Sequence, residues 1–363
     1  MVILAKRIFT GYEWLVDQQI LVHQGRIHQI KPVEGELEGS GFICAGFIDL
    51  QVYGGCERLF SNHPTVDSIE KTFDEHHKTG TTQFQITLNC SPKETMWKAI
   101  DACKSYLSRG GKGLVGLHLE GPFFNPIRKG AHKEEFVQAP SVEFIKEIVD
   151  RAGDLPIYMT IAPEMFSEEA LDYILKSPIM VSLGHSDASI EQANLALSKG
   201  AKRITHLFNA MSQWQSRALG LVGASFSSDA WTSIIVDGLH CDFRSVKLAK
   251  ELKKHRLFLI TDAVTHDISG PYLFDKKDGK FTNESGTLSG SALTMEQAVQ
   301  NCVNEVGIDV EEAIRMATLY PAQVADLDQD LGTVEEGKRA CLLYMSDDLK
   351  VQQVWLDGEP LMD

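Results

Sequence analysis

Five residues carry side chains that could ligate a metal or move a proton, and each ends a short apolar run: Gln51, Glu120, His185, His206 and Asp262. Glu120, His185 and His206 supply two imidazoles and one carboxylate, a donor set suited to Zn²⁺ with a fourth position open for water. An ion held there lowers the pKa of its water and polarises a carbonyl. Asp262, in Leu259-Ile260-Thr261-Asp262, has the chemistry of a base that takes a proton and then delivers it to a leaving amine. Gln51 reads as a neighbour of the metal-water position, since an amide is a weak neutral ligand. Taken singly, each residue has an ordinary structural reading. A strand-end histidine is commonly core, Glu120 could belong to a buried ion pair, and Asp262 could cap a helix. The functional reading rests on the set.

Other histidines and cysteines read as structural. His118 lies two residues before Glu120 on the same strand face and reads as a satisfied core or supporting histidine. His76 and His77 fall near a helix end and read as solvated or facing its dipole. His23 and His28 receive no role, Cys90 and Cys103 read as core, and the acidic run 326–330 reads as a solvated loop.

The elements that must position the five residues are legible as apolar runs bounded by Gly, Pro or polar residues: 47–52, 82–88, 114–120, 156–162, 179–185, 203–207, 232–237 and 256–262. Most are continuously apolar rather than alternating, as expected of strands buried on both faces of a parallel sheet. Helical stretches separate most of them. Ser91-Pro92-Lys93-Glu94 has the pattern of a capped helix start, Ser141 and Ser167 are further cap candidates, and Gly80, Gly110, Gly153 and Gly200 fall where helices should stop. Eight strands alternating with helices predict an α/β fold, a (β/α)8 TIM-like barrel whose active site lies at the carboxyl ends of its strands. Residues 1–45 and 330–363 are rich in strand and turn patterns, too short at either end to bury a core alone. They predict one small β-sandwich domain formed by both termini, with the barrel spanning 46–329.

Composition bounds the partners. Over 363 residues the formal charge is −15, which argues against nucleic acid and anionic membranes but leaves room for a small anion at a local cation. No apolar window reaches the ~18 residues of a membrane span, and no secretory signal pattern opens the chain. Seven scattered cysteines without a Cys-x-x-Cys pair fit a reducing cytoplasm.

Several ordered motifs carry a family resemblance: Ala45-Gly-Phe-Ile-Asp-Leu-Gln51, Gly116-Leu-His-Leu-Glu-Gly-Pro122, Lys129-Gly-Ala-His132, Val181-Ser-Leu-Gly-His-Ser186, Thr205-His-Leu-Phe-Asn-Ala-Met211, Val236-Asp-Gly-Leu-His240, Ile260-Thr-Asp-Ala263 and Gly286-Thr-Leu-Ser-Gly-Ser291. With them the chain resembles, over nearly its whole length, the N-acetylglucosamine-6-phosphate deacetylases of the amidohydrolase superfamily. The resemblance implies that Glu120, His185 and His206 bind metal and that Asp262 is the acid/base. It implies that His132, beside Ala131, contacts the sugar and polarises the acetamide. Asn209 and Ala210 match a substrate-contacting pair, Arg217 and His240 the phosphate-binding residues, and Leu288, Ser289 and Gly290 a loop that closes over substrate. It further implies a homodimer in which part of the phosphate pocket comes from the neighbouring subunit.

Two departures stand out. Gln51-Val52-Tyr53 replaces the His-x-His that supports a second metal in many amidohydrolases, so a single divalent ion is expected: Zn²⁺, with Fe²⁺, Co²⁺ or Mn²⁺ as alternatives. The phosphate arginine sits in Ser216-Arg217-Ala218-Leu219-Gly220 and the segment after Asp262 reads Val264-Thr-His-Asp-Ile-Ser269; both are atypical and leave the N-acetylgalactosamine phosphate epimer open as substrate. A cyclic-amide hydrolase would need the strand-one histidines and a bridging lysine, neither of which is evident. A non-catalytic binding protein of this shape would be expected to lose ligands or the aspartate, and here all are kept.

Overall fold

The continuous apolar runs become strands because neither face is wet, and a strand buried on both faces must be flanked and covered. A computed structural model of the chain, describing residues 1–277, 280–282, 286 and 288–361, shows how that is met. In chain order, β1 (Val2–Phe9), β2 (Trp14–His23), β3 (Arg26–Pro32) and β4 (Phe42–Ala45) come first. They are followed by β5 (Phe47–Val52), β6 (Thr81–Leu88), β7 (Leu114–Glu120), β8 (Ile157–Ile161), β9 (Met180–Leu183), β10 (Arg203–Ile204), β11 (Trp231–Ile234) and β12 (Leu257–Leu259).

Strands β5 to β12 lie side by side in sequence order, each parallel to the next. The rim closes past the end of β12, where Ala263 bridges Val52 in parallel and the Asp262 amide donates to the Gln51 carbonyl at 3.0 Å. This is the expected (β/α)8 barrel. Its connections include the helices Val66–His76, Lys93–Ser108, Val142–Ala152, Glu168–Lys176, Ile190–Ser198, Gly220–Phe226 and Phe243–Lys253, and Met295–Asn301 and Val310–Ala317 follow the last barrel strand.

Ser141 and Ser167 cap as expected, accepting from Phe144 and Ala170 amides. Ser91 does not. The helix begins at Lys93 with Pro92 in the cap position and no side-chain cap bond; Ser91 sits one residue too early, and its hydroxyl donates to the Asn89 carbonyl at 2.7 Å. The reading of His76 as solvated is also corrected. Ile69, Phe73 and His76 share one face of the Val66–His76 helix, so His76 is buried, with Nε2 3.0 Å from the Gly54 carbonyl.

The termini meet in a second sheet with β13 (Leu342–Met345), β14 (Val351–Leu356) and β15 (Glu359–Pro360). Its order is β15-β14-β13-β4-β1-β2-β3. Gln24 and Gly25, with φ of 48° and 76°, turn β2 into β3 with the left-handed pair that a two-residue hairpin requires. Arg26 bridges Arg339, bringing the start of β3 back onto the segment entering β13. The sheet thereby wraps its own apolar cluster, which includes Ile3, Ile8, Ile20, Ile27, Ile43 and Leu342. We propose the boundary between the two units at Gly46, because β4 pairs in the terminal sheet and β5 in the barrel.

Gly46 is required there by contact. A β-carbon at this position would overlap the Thr82 side chain on β6. Gly46→Ala is therefore expected to destabilise the fold by about 1–3 kcal/mol through overpacking. A thermal or urea midpoint equal to that of the parent chain would refute this.

Candidate active site

Glu120 is the last residue of β7. The other three charged or titrating members of the set stand just past their strands in the left-handed region, with φ of 48° at His185, 32° at His206 and 55° at Asp262. The apolar runs therefore overshoot the strands: the ladder ends at Leu183, Ile204 and Leu259, and the next residues turn. Such backbone costs of order 1–3 kcal/mol per non-glycine residue and persists only where the surroundings enforce it. Here they do. The His206 amide donates to Ser233 Oγ at 2.8 Å, the His185 carbonyl accepts from Asn125 at 3.0 Å, and the Asp262 carbonyl accepts from Ser291 at 2.8 Å.

Three ligand atoms converge. His185 Nε2 and His206 Nε2 are 3.0 Å apart, and Glu120 Oε1 lies 3.3 Å from the first and 3.1 Å from the second. Tetrahedral Zn–N and Zn–O bonds of about 2.0–2.2 Å place neighbouring ligand atoms roughly 3.3–3.6 Å apart, so the triangle is close to the size that one ion holds. The donor set fits as well: all three residues are buried and together form a cluster able to hold a metal. His185 Nδ1 donates to the Arg128 carbonyl at 2.9 Å, which leaves the Nε2 lone pair facing the other ligands. Phe124 stacks on the His185 ring, with centroids 4.1 Å apart, and fixes its plane.

Electrostatics separate the two carboxyls. Burial raises Glu120, but His132 and His185 beside it outweigh burial and hold this carboxylate well below the ordinary range. Asp262 goes the other way: burial first, then the charges of Glu120, Asp49 and Asp237, push it well above the ordinary range. One carboxyl is thus kept as an anion and the other kept able to carry a proton, a separation that suits a ligand and an acid/base. His132 has a defined tautomer. The Cys90 amide donates to its Nδ1 at 3.1 Å, so Nε2 carries the hydrogen and donates to Glu120 Oε2 at 2.9 Å. Burial, then the charges of Glu120 and Asp262, push the Tyr53 phenol well up, so it is a donor and not a phenolate ligand. His118 is a satisfied core histidine, its ring nitrogens 3.1 Å from the Leu50 carbonyl and 2.8 Å from Thr160 Oγ1.

A cavity of about 240 Å³ opens beside the triangle. Of the residues expected from the sequence, Glu120, His185, His206, Asp262, Ala131, His132, Asn209, Ala210, His240, Leu288 and Gly290 line it. His240 is held by Asp237, Nδ1 to Oδ2 at 2.7 Å. Gln51 and Ser289 are fully buried and lie outside the lining. Arg217 also lies outside it, on the exposed stretch 213–218. Thr287, in the motif 286–291, falls outside the described residues. Sequence reasoning did not name Tyr53, Asn89, Gly130, Ile235, Val264 and Phe274 for the lining. Strand alternation could have found Tyr53, two residues past Gln51. Phe274 had no local signal, because its place depends on how a long connection folds back.

The amidohydrolase family profile matches residues 42–361. The chain belongs to the amidohydrolase family. It is 34% identical to N-acetylglucosamine-6-phosphate deacetylase of Haemophilus influenzae, over 97% of each chain. It is 30% identical to N-acetylgalactosamine-6-phosphate deacetylase of Escherichia coli, over 99% of this chain and 98% of the relative. The crystal structure of N-acetylglucosamine-6-phosphate deacetylase from Pasteurella multocida superposes with a TM-score of 0.93 at 35% identity, covering 98% of each chain.

Elemental analysis of the purified protein is expected to return one divalent ion per chain, and Glu120→Gln to lose most of it. Two ions per chain, or undiminished metal in that variant, would contradict the triangle. Burial lowers His118 from 6.5 to about 4. The unfolded chain therefore takes up this proton near pH 6.5 and the folded chain only near pH 4, so stability falls as pH drops through that window. His118→Gln should flatten this part of the loss in thermal midpoints measured against pH; an unaltered slope would count against it.

Proposed function

We propose that this chain hydrolyses the acetamide of N-acetyl-D-glucosamine 6-phosphate to glucosamine 6-phosphate and acetate. The observation that carries the reading is the pairing, in one cavity, of a Glu–His–His triangle able to hold a metal with a separate buried carboxyl, Asp262, in a chain 34% identical over 97% of its length to a deacetylase of that name. A divalent ion held by Glu120, His185 and His206, most simply Zn²⁺ with Fe²⁺, Co²⁺ or Mn²⁺ as alternatives, supplies Lewis-acid polarisation and an activated water.

The chain's own residues do the rest. Asp262 takes the proton of the attacking water and delivers it to the departing amine. His132, in the tautomer that the Cys90 amide selects, turns its one Nε2 hydrogen from Glu120 Oε2 to the acetyl oxygen when substrate enters. Asn209 and the backbone around Ala131 and Ala210 orient the sugar, His240 binds the 6-phosphate, and Leu288, Ser289 and Gly290 close the cavity. Arg217 is a phosphate ligand acting in trans. It is exposed and outside its own cavity, as expected if a homodimer carries it to a neighbouring one, where a guanidinium fork suits phosphate. The seven cysteines are all free, which suits a cytoplasmic enzyme.

A second reading changes one hydroxyl of the sugar. The Escherichia coli relative is an N-acetylgalactosamine-6-phosphate deacetylase, and of the two altered segments the one after Asp262 puts Val264 in the cavity wall. A non-catalytic binding role is disfavoured because the ligand set and Asp262 are both present.

Amine release from N-acetylglucosamine 6-phosphate and its galacto epimer, with metal-loaded protein, decides between these. Faster turnover of the gluco compound is expected; preference for the epimer would reassign the substrate, and inactivity on both would refute the deacetylase reading. Asp262→Asn should keep its metal and lose about 10²–10⁴-fold in kcat. Near-parental turnover in that variant would remove the acid/base role.

A further inference from the structure

Glu120 has two carboxylate oxygens, and they face different partners. Oε1 faces the two histidine Nε2 atoms. Oε2 accepts from His132 Nε2 at 2.9 Å and from the Tyr53 hydroxyl. Tyr53 is itself tied further back: Gln51 Nε2 lies 3.0 Å from its hydroxyl oxygen. The same amide nitrogen lies 2.6 Å from Asp262 Oδ1 and 2.8 Å from Glu120 Oε1.

An amide NH₂ has two hydrogens, so three acceptors compete for them. An ion on Glu120 Oε1 removes that atom from the competition. The two hydrogens then go to the Tyr53 hydroxyl oxygen and to Asp262 Oδ1, while the Tyr53 hydrogen goes to Glu120 Oε2. Every donor has one acceptor, and the order runs Asp262, Gln51, Tyr53, Glu120. All four residues are buried, so the hydrogen bonds have little competition from water.

Resting on the metal-hydrolase reading above, we propose that Tyr53 is a positioning residue, the middle of a Gln51–Tyr53 relay that ties the ligand Glu120 to the acid/base Asp262. Tyr53 holds Oε2 away from the ion, so Glu120 binds through one oxygen and the remaining position stays free for water. Gln51 holds Asp262 by Oδ1, which leaves Oδ2 as the oxygen that carries the proton. The relay couples where the ion sits to where the proton is received. Phenylalanine at 53 would keep the ring and lose the coupling. Histidine there would be a ligand in its own right.

The test uses full-length protein loaded with Zn²⁺ or Co²⁺, with Tyr53→Phe and Gln51→Leu compared with the parent. Chelator competition with Zn²⁺ should show Tyr53→Phe binding about 10-fold or more weaker, the usual cost of losing a partner behind a metal ligand. The Co²⁺ visible absorption of Tyr53→Phe should change in band position and intensity as Glu120 gains freedom to use both oxygens. Gln51→Leu cuts the relay on the Asp262 side. It should keep most of the metal affinity and lower kcat about 10-fold or more with KM little changed.

Parental Zn²⁺ affinity together with a parental Co²⁺ spectrum in Tyr53→Phe would overturn the proposal. So would parental kcat in Gln51→Leu. If Tyr53→Phe does not fold, Gln51→Leu and Gln51→Asn still decide, since the relay demands a kcat loss in the first and partial recovery in the second, whose shorter side chain keeps the two-hydrogen amide. The metal measurements need no sugar. A parent that holds metal yet turns over neither hexosamine phosphate would sink the substrate reading while leaving the affinity comparison to judge the relay.

Discussion

The site depends on a single buried carboxylate. Glu120 is 2% exposed, and a charge so far from water persists only where surrounding donors replace its hydration. Its two oxygens meet that need in different ways. One faces the histidine pair; the other takes hydrogens from His132 and Tyr53. Of the histidines that hold Glu120 ionised, His185 is also placed to share an ion with it. The requirement that a buried anion be paired and the requirement that a metal be ligated are met by the two oxygens of one side chain.

The second constraint is geometric. Parallel strands can deliver side chains to a common rim, but an ideal strand end does not aim them at one point. The left-handed residues at 185, 206 and 262 supply the missing turn. Their strain is held by backbone bonds to Asn125, Ser233, Gln51 and Ser291, which lie on other parts of the barrel. The site is thus paid for by the frame: neighbouring strands hold conformations that an isolated segment would not keep.

Family and function meet at different depths. The family follows from a match over residues 42–361. The choice between epimers is a finer matter than the family, and the cavity wall that includes Val264, from the atypical segment, and Phe274 is where it would be made.

The sequence by itself determined the barrel and which residues gather at its rim. Continuous apolar runs are a local property of the chain, and strands of that kind have few ways to be buried. The strand ends of such a barrel gather on one face, so Glu120, His185, His206 and Asp262 could be grouped without coordinates. Only the tertiary structure decided the rest. The overshoot of the apolar runs past Leu183, Ile204 and Leu259 shows that apolarity marks burial, not hydrogen-bond pairing. Ser91 lost its capping role to an Asn89 carbonyl that its helix does not contain. His76 went inward because the helix face, and not its distance from the helix end, set its exposure. Strand alternation gives the face of Tyr53, but its partner Glu120, like the place of Arg217 outside the cavity, comes from how distant segments pack, and no local pattern carries that information.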